Sequence, residues 1–289
     1  MHYIPTVFDP SEEQIHVQKG RAVAIQAAQL ETRPSYYKHV SQSCPRDFDT
    51  ALEERIRLPF ADGLLTKDGY DDRKLRLDWW GSFWDPQHKH HAVLYIGPAL
   101  FQESDHYERQ FHNDTEHLRQ QGKEQFGDDR ALTCQIVAAH TLTIADDGVM
   151  LFKRSNKVYW PDHYAGIGGL VTADASTIFQ GDPLANLQAV CKQTAQAELK
   201  EEVGIEASAL SFNGFVEAGT TIDGSYCLHT GKSVDESLRN WATAQDKADH
   251  MEYKVLRGRQ ELEVFMASDE LRTPQLEGTL QLLLLHGFK

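Results

Sequence analysis

Apolar and polar positions follow two rhythms along this chain. A period near two marks strands. Lys74–Trp84 is rich in strand formers and aromatics, and His91–Ile96 alternates. Leu132–Ile144 and Val149–Lys153 flank Asp146-Asp147-Gly148, a turn sequence that predicts a hairpin. Phe212–Glu217, Ser225–His229 and Glu261–Ala267 are further expected strands. A period near 3.6 marks helices. It predicts one over Ser11–Leu30, with Ile15, Val17, Ala22, Ile25 and Ala28 inward, and a short one over Ala51–Leu58. Ser104–Gly122 is polar, with Phe111 and Leu118 on its inner face. The stripe Leu187, Val190, Cys191, Thr194 predicts a helix over Leu184–Val203. Pro274 opens a terminal helix through Leu276, Leu280, Leu283 and Leu284.

The pattern changes near Phe126-Gly127-Asp128-Asp129, which divides the chain into 1–129 and 130–289. Strands interspersed with helices make the second part α/β or α+β. Trp160–Val171 carries Gly166, Gly168 and Gly169, which predicts a strand end and a tight loop. No apolar run approaches the ~20 residues that cross a bilayer; Leu280–Leu285 is too short. The Met1–Pro5 start lacks the layout of a signal peptide, so a cytoplasmic location is expected. Cys44, Cys134, Cys191 and Cys227 form no CxxC pair, which leaves buried reduced thiols as their expected role. The net charge of −14 and the lack of a basic stripe exclude polymeric nucleic acid and anionic membranes as expected partners. A small phosphorylated ligand stays open, because a bound divalent cation inverts the local field.

The chemistry concentrates at the end of the long helix. Glu198, Glu201 and Glu202 stand at i, i+3 and i+4, with Gly204 following. That spacing puts three carboxylates on one helix face, in the last turn, where the backbone dipole already disfavours anions. The apolar stripe Leu187, Cys191, Thr194 runs into Glu198, so the acids continue an inward face. Inward carboxylates need a partner. Lys200 points away, and a hard cation such as Mg²⁺ would satisfy them. A solvated acidic helix end is the plain alternative.

Glu198-Leu199-x-Glu201-Glu202-x-Gly204-Ile205 resembles the second half of the Nudix box, G-x5-E-x7-R-E-U-x-E-E-x-G-U, where U is bulky and aliphatic. Gly168-Gly169 resembles its opening, and Gly204 fits as a left-handed helix cap. The resemblance covers 130–289. The chain departs from the pattern at the first glutamate position, here Ala175, and at the arginine, here Ala197; the segment between them is stretched by 14 residues. The stretched box and the long first half are similar to animal UDP-glucose pyrophosphatases of the Nudix superfamily. Arg73-Lys74-Leu75-Arg76-Leu77 and Leu118-Arg119-Gln120-Gln121-Gly122 are similar to segments of that branch.

The resemblance implies a Nudix-type α/β/α sandwich with an additional N-terminal α+β domain. It implies hydrolysis of a nucleoside diphosphate linked to another group, with a UDP-sugar such as UDP-glucose as the favoured substrate. Glu198, Glu201 and Glu202 would hold Mg²⁺, or Mn²⁺, with Glu201 and Glu252 in catalytic roles. Gly168, Gly169 and Arg76 would contact substrate. A homodimer is an expected assembly. Two other readings stand beside this one: a Nudix-fold nucleotide-sugar binding or regulatory module without hydrolysis, and an interaction scaffold built on the first half. His88-Lys89-His90-His91 reads as a polar turn before a strand rather than a metal site. Trp79, Trp80, Phe83 and Trp84 read as packing residues, and the Gly219–Gly224 segment with Asp223 as a turn.

Overall fold

The computed structural model describes residues 5–19, 39–40, 73–100, 120, 124, 135–173 and 175–286. Its strands are β1 (Thr6–Phe8), β2 (Glu13–Lys19), β3 (His39–Val40), β4 (Arg73–Trp84), β5 (His90–Leu100), β6 (Gln135–Ala145), β7 (Gly148–Arg154), β8 (Tyr164–Ala165), β9 (Ile167–Leu170), β10 (Ser211–Glu217), β11 (Thr221–His229) and β12 (His250–Leu256). The helices are α1 (Ala175–Ile178), α2 (Pro183–Val203), α3 (Val234–Ser237), α4 (Arg259–Ala267) and α5 (Pro274–His286), with 3-10 turns at Trp241–Thr243 and Lys247–Asp249.

The main path of the sheet runs β1-β10-β11-β6-β4-β5-β2. Strand β6 is its hub. One edge pairs with β11 in parallel from Ile136 to Ile144. The other edge is shared in turn by β4 at residues 135–136, β9 at 138–141 and β7 at 143–145. The protein is thus mixed α/β, with α2 packed on one face of the sheet and α4 and α5 on the other. Leu187, Cys191, Ala195 and Leu199 of α2 bury against Val137, Ala139, Phe152 and Tyr226. Leu262 and Phe265 of α4 and Leu276, Leu280 and Leu283 of α5 bury against Leu142, Ile144 and Leu151. Alternation along β6 divides its odd and even residues between these two cores.

Local chemistry explains the elements that matter for the site. Asp182 caps α2, its carboxylate accepting from the Leu184 and Ala185 amides, and Pro183 occupies the first turn. Gly204 ends α2 at φ 71°; its amide donates to Lys200 O and the Ile205 amide to Leu199 O. The hairpin between β6 and β7 turns through Asp146-Asp147, with Ala145 paired to Gly148. In α5, burial of Leu276, Leu280, Leu282 and Leu283 at about 2 kcal/mol each outweighs the ~1 kcal/mol helix penalty of Gly278. An added Cβ at Gly278 would come within 2.3 Å of Val216, so the glycine lets α5 approach β10.

Three expected elements are corrected. Gly219–Gly224 is not a turn throughout, because Thr221–Gly224 belong to β11 and pair in parallel with β6. Glu13–Lys19 is a strand, not the start of a helix over Ser11–Leu30; it pairs in parallel with β5 and buries Ile15 and Val17 at a period of two. Arg259–Ala267 is a helix, not a strand over Glu261–Ala267; Leu262, Phe265 and half-buried Met266 share a face at i, i+3 and i+4. The expected helices over Ala51–Leu58 and Ser104–Gly122, apart from helical Gln120, lie outside the described residues, as do the boundary at 126–129, Cys44 and Cys134. Cys191 and Cys227 are buried free thiols. Around the histidine run, His90 pairs with Glu13, and His91 lies between His16 and Asp85. Trp80 packs edge-on against Phe8. Among the described residues no helix is long and apolar enough to cross a membrane.

Candidate active site

A cavity of about 450 Å³ opens where β9, the end of β7 and the C-terminal turn of α2 meet. Glu198 and Glu202 line it from the helix, and Gly168 and Gly169 from β9. The double glycine has a steric reason. A Cβ on Gly169 would fall 1.9 Å from Glu198 Oε1, so only a hydrogen at this position admits the carboxylate. A Cβ on Gly168 would fall 2.3 Å from Ala139 O on β6.

The two carboxyls are electrostatically crowded. Burial pushes Glu198 up to about 8, with Glu202, Glu201, Asp246 and Asp249 adding repulsion. Burial likewise pushes Glu202 to about 8; Arg154 pulls it down, and Asp249, Asp246 and Glu201 push it up. Glu202 Oε2 lies 2.9 Å from His250 Nε2, in a pair whose side chains are almost wholly buried. Burial, followed by Arg154, lowers His250 to about 4. Lys200 has turned away to Glu206, at 3.0 Å.

The loop before β9 is pinned from behind. The Gly166 amide donates to His140 Nε2 at 2.9 Å, and His140 Nδ1 lies 3.1 Å from Thr279 Oγ1 on α5. Burial, then Arg154, lowers His140 to about 3, so the ring is neutral and accepts at Nε2. The far wall of the cavity holds Thr221, Asp223 and Gln275. Asp223 accepts from the Thr221 hydroxyl, and Gln275 Nε2 donates to Thr221 Oγ1 at 2.9 Å. Tyr159 and Trp160 also line the cavity.

Of the residues singled out in the sequence, Glu198, Glu202, Gly168 and Gly169 come together here, with Glu201 close enough to raise both neighbours. Glu201 also accepts the Asp246 amide at its carbonyl oxygen, 2.8 Å away. Arg76 is buried on β4 beside Ile136 of β6, outside the cavity wall. Glu252 is not brought to the carboxylates. It pairs with Lys153 at 3.2 Å and neighbours Tyr164. Lys153 alternates with Phe152 and therefore faces the α4–α5 side. A β-bulge between His250 and Glu252 separates their directions.

Arg154, Asp249 and His250 escaped the sequence reasoning, and Asp223, read there as part of a turn, lies on the cavity wall. Arg154 was legible in principle, because it shares parity with Met150 and Phe152 on β7. Asp249 and His250 carried no local signal; the turn at 247–249 reaches α2 only through the tertiary pairing of β12 with β7.

Glu198, Glu201 and Glu202 are the side chains that could hold a divalent ion. The donor set fits one. It is all carboxylate oxygen, matched to a hard cation, and burial with mutual repulsion raises the proton affinity of Glu198 and Glu202, a load that a cation would relieve. Among the described residues, no three His, Cys, Asp or Glu side chains already converge as a ligand set.

No family model matches the chain, and no curated protein matches it. Solved structures do. The MutT protein from Methanosarcina mazei Go1 matches at 16% identity and a TM-score of 0.36, over 53% of this chain and 96% of that one. A Nudix-family hydrolase from Clostridium perfringens matches at 13% identity and 0.31, over 53% and 99%. A bifunctional NMN adenylyltransferase/ADP ribose pyrophosphatase from Francisella tularensis, complexed with AMP and a Mn ion, matches at 14% and 0.35, over 63% and 47%.

Proposed function

We propose that this chain is a Nudix hydrolase that uses Mg²⁺ or Mn²⁺ to cleave the diphosphate of a nucleoside diphosphate linked to another group, with a UDP-sugar as the favoured substrate. One observation carries the reading. Two carboxyls, half-buried Glu198 and buried Glu202, stand together on a cavity wall that Gly169 leaves open, and each is pushed up to about 8. A cation would stabilise acids so placed, beyond what Arg154 and His250 supply to Glu202.

Glu198, Glu201 and Glu202 would hold the ion. When bound, it would neutralise charge on the diphosphate oxygens and favour loss of a proton from water. The chain's own residues supply the rest. Arg154 presents a guanidinium on the cavity wall beside Glu202, suited to a phosphate oxygen. The Gly168–Gly169 backbone offers a wall without side chains. A substrate contact by Arg76 would require it to leave its buried place on β4. Water attacks phosphorus, the bridging P–O bond breaks, and the water's proton passes to a carboxylate; two phosphorylated products leave. Glu201 is the proposed acceptor, and Asp249, on the cavity wall, is the alternative. A catalytic part for Glu252 would require it to leave Lys153.

Two observations favour a second reading, a binding or regulatory module without hydrolysis. The carboxylates do not yet converge as ligands, and position 175, where the box has its first glutamate, is alanine. We also propose the division into 1–129 and 130–289, from the change of sequence pattern near 126–129; β1 crosses it to pair with β10, and both parts share one core. A cytoplasmic homodimer completes the proposal.

The test is a hydrolysis screen over nucleoside diphosphate conjugates with Mg²⁺ or Mn²⁺, detecting the phosphorylated products. Metal-dependent turnover that chelation abolishes is the expected result. Calorimetric binding of a conjugate with no turnover under any metal would instead establish the binding module.

A further inference from the structure

Glu202 is 5% exposed, and as a carboxylate holding a cation it needs a hydrogen-bond donor. Helix α2 offers no donor beside it: position 197 is alanine, and Lys200 is committed to Glu206. The donor comes from another element. We propose that His250, at the start of β12, is the positioning residue of this site, its Nε2–H fixing the orientation of the Glu202 carboxylate toward the cavity. The inference rests on the proposed metal-dependent reading of the same carboxylates.

Three observations support it. His250 Nε2 lies 2.9 Å from Glu202 Oε2, and the His250 side chain has no solvent exposure. The ring is fixed on several sides: it tilts against Phe152 at 5.4 Å, Phe152 in turn meets Trp241, and the backbone of His250 pairs with Arg154 on β7. The bulge after His250 then sends Glu252 elsewhere, so the ring is aimed independently of the strand that follows. Finally, His250 Nδ1 is buried with no hydrogen-bond partner among the described residues. A histidine kept only for packing would be expected to satisfy both nitrogens or be replaced by an apolar ring. This one leaves one nitrogen orphaned while its other nitrogen holds an acid.

A ring that orients a metal-binding carboxylate acts on ion affinity through that carboxylate. The test uses the full chain and Mn²⁺ as the probe, with affinity read by calorimetry and folding by circular dichroism. His250→Phe keeps the ring volume and removes the donor. It is expected to weaken Mn²⁺ binding by about 10- to 100-fold and to lower kcat more than it raises KM. His250→Gln, whose amide replaces the Nε2–H, is expected to restore both toward the wild type. A merely structural histidine would lower the melting temperature in both variants and leave the Mn²⁺ affinity of the folded protein unchanged; that result overturns the proposal. If the phenylalanine variant does not fold, His250→Asn replaces it, because its shorter amide falls short of Glu202. Equal Mn²⁺ affinity of the asparagine and glutamine variants is then the overturning result. A wild-type chain that binds no Mn²⁺ fails earlier and overturns the proposed function itself.

Discussion

The two ends of the cavity contain buried acids in opposite circumstances. At one end, Glu198 and Glu202 stand among further acids, and their proton affinity rises. At the other end, Asp223, 3% exposed, is met by the Thr221 hydroxyl, which Gln275 fixes in turn. Burial is similar; the neighbours differ. A buried carboxylate met by a hydroxyl that an amide fixes is part of a finished wall, whereas one crowded by other carboxylates is an unfinished site that calls for a cation. The first end suits ion binding, and the second suits recognition of a polar ligand group.

The largest effect is expected where the contrast is steric. Gly169→Ala drives a methyl group into the space of the Glu198 carboxylate. A displacement of this kind should cost about 10²-fold in metal-dependent turnover, measured as kcat at saturating Mg²⁺, with the fold retained. Unchanged turnover would mean that Glu198 need not sit against β9.

The next effect is on stability. Glu198 and Glu202 bind a proton at about 8 in the fold but at the ordinary 4.5 when unfolded. Between those values the native state holds protons that the unfolded chain has released. The ion-free protein should therefore lose stability as pH rises from about 4.5 to 8 and change little from this source above 8. Melting curves across that range, compared with the Glu198→Gln, Glu202→Gln double variant, isolate the contribution; the double variant should lose the slope. Mg²⁺ should raise the wild-type melting temperature most at the alkaline end, and a uniform rise would break the link to these two acids.

A smaller effect sharpens the division between the ends. Asp223→Asn should raise KM by about tenfold and leave Mn²⁺ affinity as it was. A shift in ion affinity would show that the two ends form a single site. The smallest effect is expected at Glu252. Its pair with Lys153 is on the surface, so Glu252→Gln should change turnover by less than about twofold; a large loss would return it to the catalytic set.

The parts of the fold that local chemistry governs were legible in the sequence. The Asp146-Asp147 turn, the α2 stripe and its Gly204 cap, and Pro274 at the start of α5 each depend on neighbours within a few positions. What was illegible depends on distant partners. Ile15 and Val17 fit a loose helical pattern until β5, more than 70 residues away, pairs with them. Leu262 and Phe265 sit in a stretch short enough to read either way, and the core under α4 decides it. At the candidate site, the glutamates and glycines were visible because their spacing carries the signal. His250 was not. Simple alternation would put it on the same face as Glu252, and one extra residue in the strand reverses that.

Residues 175–182, just before α2, have a consequence for how this chain tolerates change in length. They form α1 and a bend whose carbonyl groups at Ile178 and Gln180 are tied to the Asn186 amide, while Asp182 restarts the helix. Gly181, in the bend, has open space around it. From there α2 runs 21 residues, a rod of about 30 Å, before the first carboxylate turn ends at Gly204. Residues added or removed at the bend are absorbed locally, because the helix is re-registered by its own cap rather than by the preceding strand. The rod keeps its phase, and the glutamates at its other end do not sense how long the approach was.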